Sequence, residues 1–172
     1  MKILIMKDRI VSLVFFSIGI FLFYINIDSQ LTTIENSQIK ISFYENLEGF
    51  RNYEFIGIFI NNIIVGFLLS VFGYLTGGFL TLLILIWNGF LVAIVYNMAF
   101  YQLPLDTILY ASKHVPIEVY AFLIFSEFGL KGRYFFLNIF KNNEIDFKLT
   151  PKYKTLILPI VLLFIAAILE TI

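Results

Sequence analysis

The sequence has no cysteine, a single histidine, and few charged residues, which make up 14% of its 172 residues. Without cysteine, disulfides, thiolate metal sites and thiol catalysis are excluded. Lysine plus arginine equals aspartate plus glutamate, at 12 each, so the net charge indicates no nucleic-acid partner. No glycine-rich phosphate loop, nucleophile elbow or zinc-protease motif is present. We therefore predict that the chain is not an enzyme and uses no cofactor or metal.

Apolar residues are abundant instead. They make up 60% of the chain, with 21 phenylalanines and 10 tyrosines, and the mean hydropathy is +0.90. A soluble domain of this length could not bury so much apolar surface. The composition therefore predicts that the lipid bilayer surrounds the chain, and that the fold is an all-α, polytopic membrane helix bundle.

A helix needs roughly 20 apolar residues to cross the bilayer core. The apolar runs predict a single transmembrane domain over residues 1–172 with about five transmembrane helices, at about 10–27, 55–75, 78–100, 107–130 and 154–171. An outer loop is expected at 28–54 and a cytoplasmic connector at 131–153. No small-residue cleavage site follows the first run, which indicates an uncleaved anchor.

The positive charges lie mostly on one side of this topology. Lys2, Lys7, Arg9 and the connector carry most of them, whereas the loop at 28–54 is acidic. Because positively charged loops stay in the cytoplasm, the N-terminus is predicted to be cytoplasmic and the C-terminus to lie outside.

Two residues are predicted to break helices. Pro116 has no N–H for the carbonyl of Ser112, so a continuous fourth helix is not expected there. One solution is a short amphipathic helix over residues 105–113, at the outer interface or re-entering, followed by a new helix with Pro116 in its first turn. Gly89, midway along the third span, predicts either a kink or a helix contact.

Ionisable and amide side chains inside the spans are candidate functional residues, because they are costly in hydrocarbon. His114 and Glu118 would lie on one helical face about 6 Å apart if the helix continued through the proline. Such a pair could lock helices together, bind a transported substrate or peptide, or act as a metal or catalytic dyad. Three intramembrane amides complete the candidate polar site: Asn61, Asn62 and Asn88.

Other polar and small residues are expected to be structural. Glu127 is predicted to pair with Lys131 one turn later, and Glu170 lies near the outer end of the last helix, where it can reach water. Small residues at four-residue spacing in the second span indicate close packing within the bundle or, alternatively, a homo-oligomer. They are Gly66, Ser70, Gly73 and Gly77.

The basic connector also carries an amphipathic pattern. It is a candidate surface for a cytoplasmic partner such as an ATPase, although it could equally lie on anionic lipid. The residues predicted to form this surface are Lys131, Arg133, Phe136 and Phe140.

The polar residues occur in a recognisable order, which is Asn61-Asn62, Asn88-Gly89, His114-x-x-x-Glu118 with Ala121, then Gly129, and finally Ala166-Ala167-Ile168-Leu169-Glu170. From Phe55 to Ile172 this pattern resembles the stage II sporulation protein M family, and the first helix fits by position. The sequence departs from it at Val115-Pro116, where the family commonly has glycine after the histidine.

The resemblance implies a multi-pass protein of the bacterial plasma membrane. It further implies a subunit of a peptide-export, bacteriocin-immunity or envelope-remodelling system, with peptide cargo and a partner such as an ABC-type ATPase. The alternative is a free-standing structural protein, or a sporulation scaffold for peptidoglycan hydrolases.

Overall fold

The computed structural model describes residues 2–34, 54–142 and 152–171. Within these ranges no strand occurs, which confirms the predicted all-α fold. The helices are α1 (Lys2–Ile34), α2 (Glu54–Phe67), α3 (Gly73–Leu75), α4 (Phe79–Gln102), α5 (Leu105–Ala111), α6 (Val115–Asn142) and α7 (Ile157–Thr171). A π-helical turn (Leu68–Phe72) joins α2 to α3, and a 3-10 turn (Tyr153–Leu156) precedes α7.

Four helical stretches are long and apolar enough to cross a membrane. They are Lys7–Ile25, Phe55–Leu75, Phe79–Gln102 and Tyr153–Thr171. A fifth is formed if α5 and α6 count as one span, since together they pass the same test with a bend of 43° between them. The described residues thus hold four spans, or five when the bent pair is counted as a broken fourth span, which agrees with the prediction of about five.

The break lies where the proline requires it. Residues 112–114 form a turn, and α6 begins at Val115. Pro116 therefore sits in the first turn of a helix, where its missing N–H leaves no hydrogen bond unmade. The first residues of α6 are anchored by the carbonyl of His114, which accepts hydrogen bonds from the N–H groups of Ile117 (3.0 Å) and Glu118 (3.1 Å).

Two helices extend beyond the spans that hydropathy suggested. α1 continues through residues 28–34, and α6 continues through 131–142, both of which had been assigned to connections. The 28 residues of α6 would measure about 42 Å, more than the bilayer core of about 30 Å. We therefore expect its last turns to extend past the apolar core of the bilayer. The rest of the expected loop and connector, 35–53 and 143–151, lies outside the described residues.

Glycine allows α1 and α4 to pack with their backbones in contact. A Cβ on Gly19 would lie 2.0 Å from the carbonyl oxygen of Ile86, and one on Gly89 would lie 2.1 Å from that of Phe16. α4 is helical without interruption through Gly89. Gly89 is therefore a contact residue, as one of the two expected alternatives has it, and the expected break does not occur there.

The small residues of the second span also pack within the bundle. A Cβ on Gly66 would clash with the ring of Phe125, and one on Gly73 would lie 1.9 Å from the Thr81 hydroxyl. Thr81 donates from this position to the carbonyl of Leu69 at 2.9 Å, across to the π-helical turn. These contacts agree with the intramolecular alternative. Close packing of small residues is how helices associate in lipid.

The connection between the second and third spans is a tight turn at residues 76–78. Gly77 and Gly78 have φ values of 64° and 89°, a left-handed conformation that side chains disfavour. The turn begins at Thr76, whose hydroxyl accepts a hydrogen bond from the N–H of Leu80 at 3.1 Å. The position of this turn agrees with the sequence prediction.

α6 is the central helix of the bundle. It is buried without interruption from Ala121 to Glu127, whereas bulky side chains on other helices, such as Phe21 (64% exposed) and Phe79 (65%), point outward. Outward-facing aromatic residues of this size on a span are expected to contact lipid. We call the end of the bundle that carries Lys7, Arg9 and Lys141 the inner end, and the end that carries Asp106 and Glu170 the outer end.

Candidate functional site

A cavity of about 340 Å³ lies between the helices, toward the outer end. Its walls come from α2, α4, α6 and α7, with Phe16 added from α1. All five residues of the predicted polar site line it: Asn61, Asn62, Asn88, His114 and Glu118. Glu170 joins them, although the sequence suggested only that it would reach water.

The break in the fourth span positions the two central side chains. His114 ends the turn after α5, and Glu118 lies in the first turn of α6, so both reach the same space from one short segment. A continuous helix would have carried these residues on a straight face. In the structure the segment instead bends by 43° between α5 and α6.

The partners of these side chains differ from those expected. Glu118 accepts a hydrogen bond from the side-chain amide of Asn62 on α2. His114 Nε2 lies 3.7 Å from Glu170 Oε2 on α7. The expected direct pair of His114 with Glu118 is therefore replaced by two contacts to other helices, because residues 112–114 form a turn.

Not every polar atom of the cavity is satisfied. His114 Nδ1 is buried and has no hydrogen-bond partner among the described residues. Asn88 donates to the carbonyl of Ile84 in its own helix at 2.8 Å. In hydrocarbon an unpaired polar atom costs several kcal/mol, so such an atom beside an open volume indicates space for a ligand or water.

The described residues do not offer a metal site. No group of three or more histidine, aspartate or glutamate side chains within them is arranged to hold a metal ion. Structural and catalytic metal sites generally need three or four such ligands.

At the inner end, two charged contacts join α1 to α6. Asp8, only 1% exposed, accepts hydrogen bonds from Arg133 and from the hydroxyl of Tyr134, the latter at 3.0 Å. Arg9 forms an ion pair with Glu127. The predicted pairing of Glu127 with Lys131 was wrong, because the N-terminal helix brings an arginine to the same carboxylate.

Sequence reasoning missed Asp8 altogether. Its signal was the presence of an acidic residue among lysines and arginines just before the first span. A carboxylate there is costly near lipid unless a cation pairs with it. The partner could not be identified, because Arg133 is 125 residues away in the chain.

The predicted partner surface is only partly exposed. Arg133 is engaged with Asp8, and Lys131 is half-buried. Phe136 packs near the turn at Gly77. Phe140 is 81% exposed on the projecting end of α6. Of the four residues, Phe140 is thus the one most available to another molecule.

Comparison with known proteins gives one match. The family model described as stage II sporulation protein M matches residues 12–172, including the first span that fitted the resemblance only by position. No curated protein and no solved structure matches the chain. With membrane-length apolar helices and a match over nearly the whole sequence, this multi-pass membrane protein belongs to the stage II sporulation protein M family.

Proposed function

We propose that this protein is a non-catalytic membrane subunit of a bacterial peptide-export, bacteriocin-immunity or envelope-remodelling system, and that it binds part of a peptide in its polar cavity. The observation that carries this proposal is the gathering of three amides, one imidazole and two carboxylates around a single cavity. Their donors and acceptors match those of a peptide.

The position of the cavity supports the same function. Ligand sites in membrane proteins lie between helices, often where a helix is broken and its polar groups are exposed to a cavity. Here the broken fourth span contributes His114 and Glu118, and continuous helices contribute the remaining walls. A site with this geometry accepts a ligand from the outer half of the bilayer.

A partner would supply the energy for peptide movement. The sequence has no phosphate-binding motif, so peptide movement would draw its energy from another subunit such as an ABC-type ATPase. The projecting end of α6, with Phe140 exposed beside Lys141, is the surface that we propose for this partner. An envelope-remodelling enzyme is the alternative partner.

Photo-crosslinking tests the cavity. A benzophenone side chain placed at Val92, which lines the cavity, should yield peptide adducts from native membranes, as read by mass spectrometry. The same group at Leu83, 46% exposed on the same helix and outside the cavity, is the matched control and should yield lipid adducts. Lipid adducts alone at both positions would argue against a peptide site.

Affinity purification tests the partner. The full chain extracted in mild detergent should retain an ATPase or an envelope enzyme, and Phe140→Ala should lower the amount retained. Phe79→Ala, which removes another largely exposed ring (65% against 81% for Phe140) at the inner end of α4, should leave it unchanged. If neither class of partner is retained by the unaltered protein, the subunit proposal loses its support.

A free-standing structural protein is the second candidate. It is favoured by the contacts that join three helices at the cavity, Asn62 with Glu118 and His114 with Glu170. Separate substitutions of His114 and Glu118 distinguish the candidates. Loss of folded protein in both variants favours structure, whereas normal folding with lost peptide adducts favours a binding site.

A further inference from the structure

The geometry points to a specific ligand group for this cavity: a primary ammonium, carried by a lysine side chain or the amino terminus of a peptide. This inference rests on the proposed function, and it names the chemistry that the cavity selects. The cavity would hold the ammonium between Glu118 and Glu170, with the amides completing its hydrogen bonds.

Charge is the first reason. Among the described residues that line the cavity there are two carboxylates and no lysine or arginine, and the single basic side chain is His114. His114 contacts Glu170, while Glu118 is held by the neutral amide of Asn62. A carboxylate in a bundle surrounded by lipid favours a positively charged ligand, because attraction between charges is strong where water is scarce.

Hydrogen-bonding capacity is the second reason. An ammonium donates three hydrogen bonds and accepts none, so it needs several oxygen acceptors around one point. The lining offers the carboxylates and the carbonyl oxygens of Asn61, Asn62 and Asn88. It also offers aromatic rings, from Phe16, Tyr96 and Phe122, whose faces attract cations.

Size and ligand geometry exclude the main alternatives. The volume of about 340 Å³ lies at the lower end of the range for ligand pockets, which suits one side chain rather than a folded segment. A metal cation is disfavoured, because the described residues hold no suitable ligand set. A zwitterionic lipid headgroup would place its phosphate beside the two carboxylates, with no lysine or arginine in the described lining to receive it.

Calorimetric titration of the full chain in dodecyl maltoside micelles tests the inference, because this detergent carries neither charge nor amine. N-acetyl-lysine amide should bind, whereas N-acetyl-norleucine amide, which has a similar shape without the charge, should bind at least roughly tenfold more weakly. Glu118→Gln and Glu170→Gln should each weaken lysine-amide binding by roughly tenfold or more. Equal binding of the two amides, or no binding of either, would overturn the inference.

The matched control is Asp106→Asn, which removes an exposed carboxylate from α5 at the same end of the bundle and outside the cavity. It should leave lysine-amide affinity unchanged. Circular dichroism and gel filtration establish that each variant is folded, and the two glutamate positions provide independent tests if one variant folds poorly. Unchanged affinity in both glutamate variants would place the binding elsewhere and reject the proposed site.

A competition experiment with a lipid distinguishes an ammonium carried by a peptide from one carried by a lipid headgroup. Phosphatidylethanolamine added to the micelles should not compete with N-acetyl-lysine amide. Competition that depends on Glu118 and Glu170 would assign the cavity to a lipid headgroup and overturn the peptide inference. If N-acetyl-lysine amide did not bind, while peptide adducts still formed at Val92 and the partner was still retained, the ammonium inference would be rejected. The proposed function would then remain.

Discussion

The inner and outer halves of the bundle both contain polar side chains between helices, but the surroundings of these side chains differ. At the inner end, polar groups are closed against one another: Arg133 and Tyr134 cover the carboxylate of Asp8, and Arg9 covers that of Glu127. At the outer end, amides and ionisable side chains surround a cavity of about 340 Å³. Buried polar atoms without a partner among the described residues occur in both halves, on Tyr74 and Arg133 as well as on His114. The cavity, and not the satisfaction of polar atoms, is therefore what distinguishes the two halves.

The packing differs in the same direction. In the inner half, Gly73, Thr81 and Gly129 bring α3, α4 and α6 together so closely that a single added methyl group would clash. In the outer half the helices surround the cavity instead. A closely packed inner half beside a cavity is the arrangement that we expect of a site supported by a fixed scaffold.

Arg133→Met should produce the largest loss of stability. It leaves the carboxylate of Asp8, which is 1% exposed, without its cation. Breaking a buried ion pair in this way costs about 3–5 kcal/mol of unfolding free energy. Unfolding in detergent, followed by circular dichroism during titration with sodium dodecyl sulfate, measures the change.

The double variant Asp8→Asn with Arg133→Met provides the control. Removing both charges together should restore most of the stability, because no uncompensated charge remains. If the single and double variants were equally unstable, Arg133 would act through packing and the inner half would not be held by this pair.

Gly129→Ala should be the next most destabilising change. The new Cβ would lie 2.1 Å from the carbonyl oxygen of Leu69 and 2.2 Å from the Thr81 hydroxyl, so the helices must separate. Overpacking of this kind costs about 1–3 kcal/mol. The same detergent titration measures it.

Gly57→Ala is its matched control. A Cβ on Gly57 meets nothing within 4 Å, and alanine favours helix over glycine by about 1 kcal/mol. This variant should be at least as stable as the original protein. Equal destabilisation at both glycines would mean that close packing in the inner half is not responsible.

Thr81→Val should have a smaller effect. It keeps the shape of a side chain that is fully buried and removes the hydrogen bond to the carbonyl of Leu69. Interhelical hydrogen bonds in membranes contribute about 0.6 kcal/mol on average and at most about 1.7 kcal/mol. Ser112→Ala, whose hydroxyl donates to the carbonyl of Ile108 one turn earlier in the same segment, should change stability less.

Local chemistry in the sequence was sufficient for the spans and the break. Apolar run length identifies a crossing helix because the bilayer has a fixed thickness, and Pro116 restricts its neighbours through covalent geometry alone. The extension of α1 and α6 beyond the predicted spans was not predictable in this way. Hydropathy indicates which residues lie in lipid, whereas a helix ends where its backbone hydrogen bonds end. The two positions need not coincide.

The residues of the candidate site could be predicted from the sequence, but the contacts between their side chains could not. The free-energy cost of placing a polar side chain in hydrocarbon is a property of that residue alone. His114, Glu118 and the amides could therefore be identified one at a time. Their partners depend on which helices meet, and that is a tertiary property. Glu170 and Asp8 illustrate the limit, since each pairs with a residue more than fifty positions away.

Glu118→Gln should have the smallest effect on stability and the sharpest effect on ligand binding. Glutamine can still accept the hydrogen bond from Asn62, so the free energy of unfolding should change by no more than about 0.6 kcal/mol. Glu127→Gln makes the same chemical change at the inner end, where it breaks the pair with Arg9 and should cost more, about 1–2 kcal/mol. Detergent unfolding measures both variants, and calorimetric titration with N-acetyl-lysine amide measures their function. If Glu118→Gln lowered the free energy of unfolding as much as Glu127→Gln, both carboxylates would be stabilising contacts between helices. The two halves would then not differ in the way that we propose.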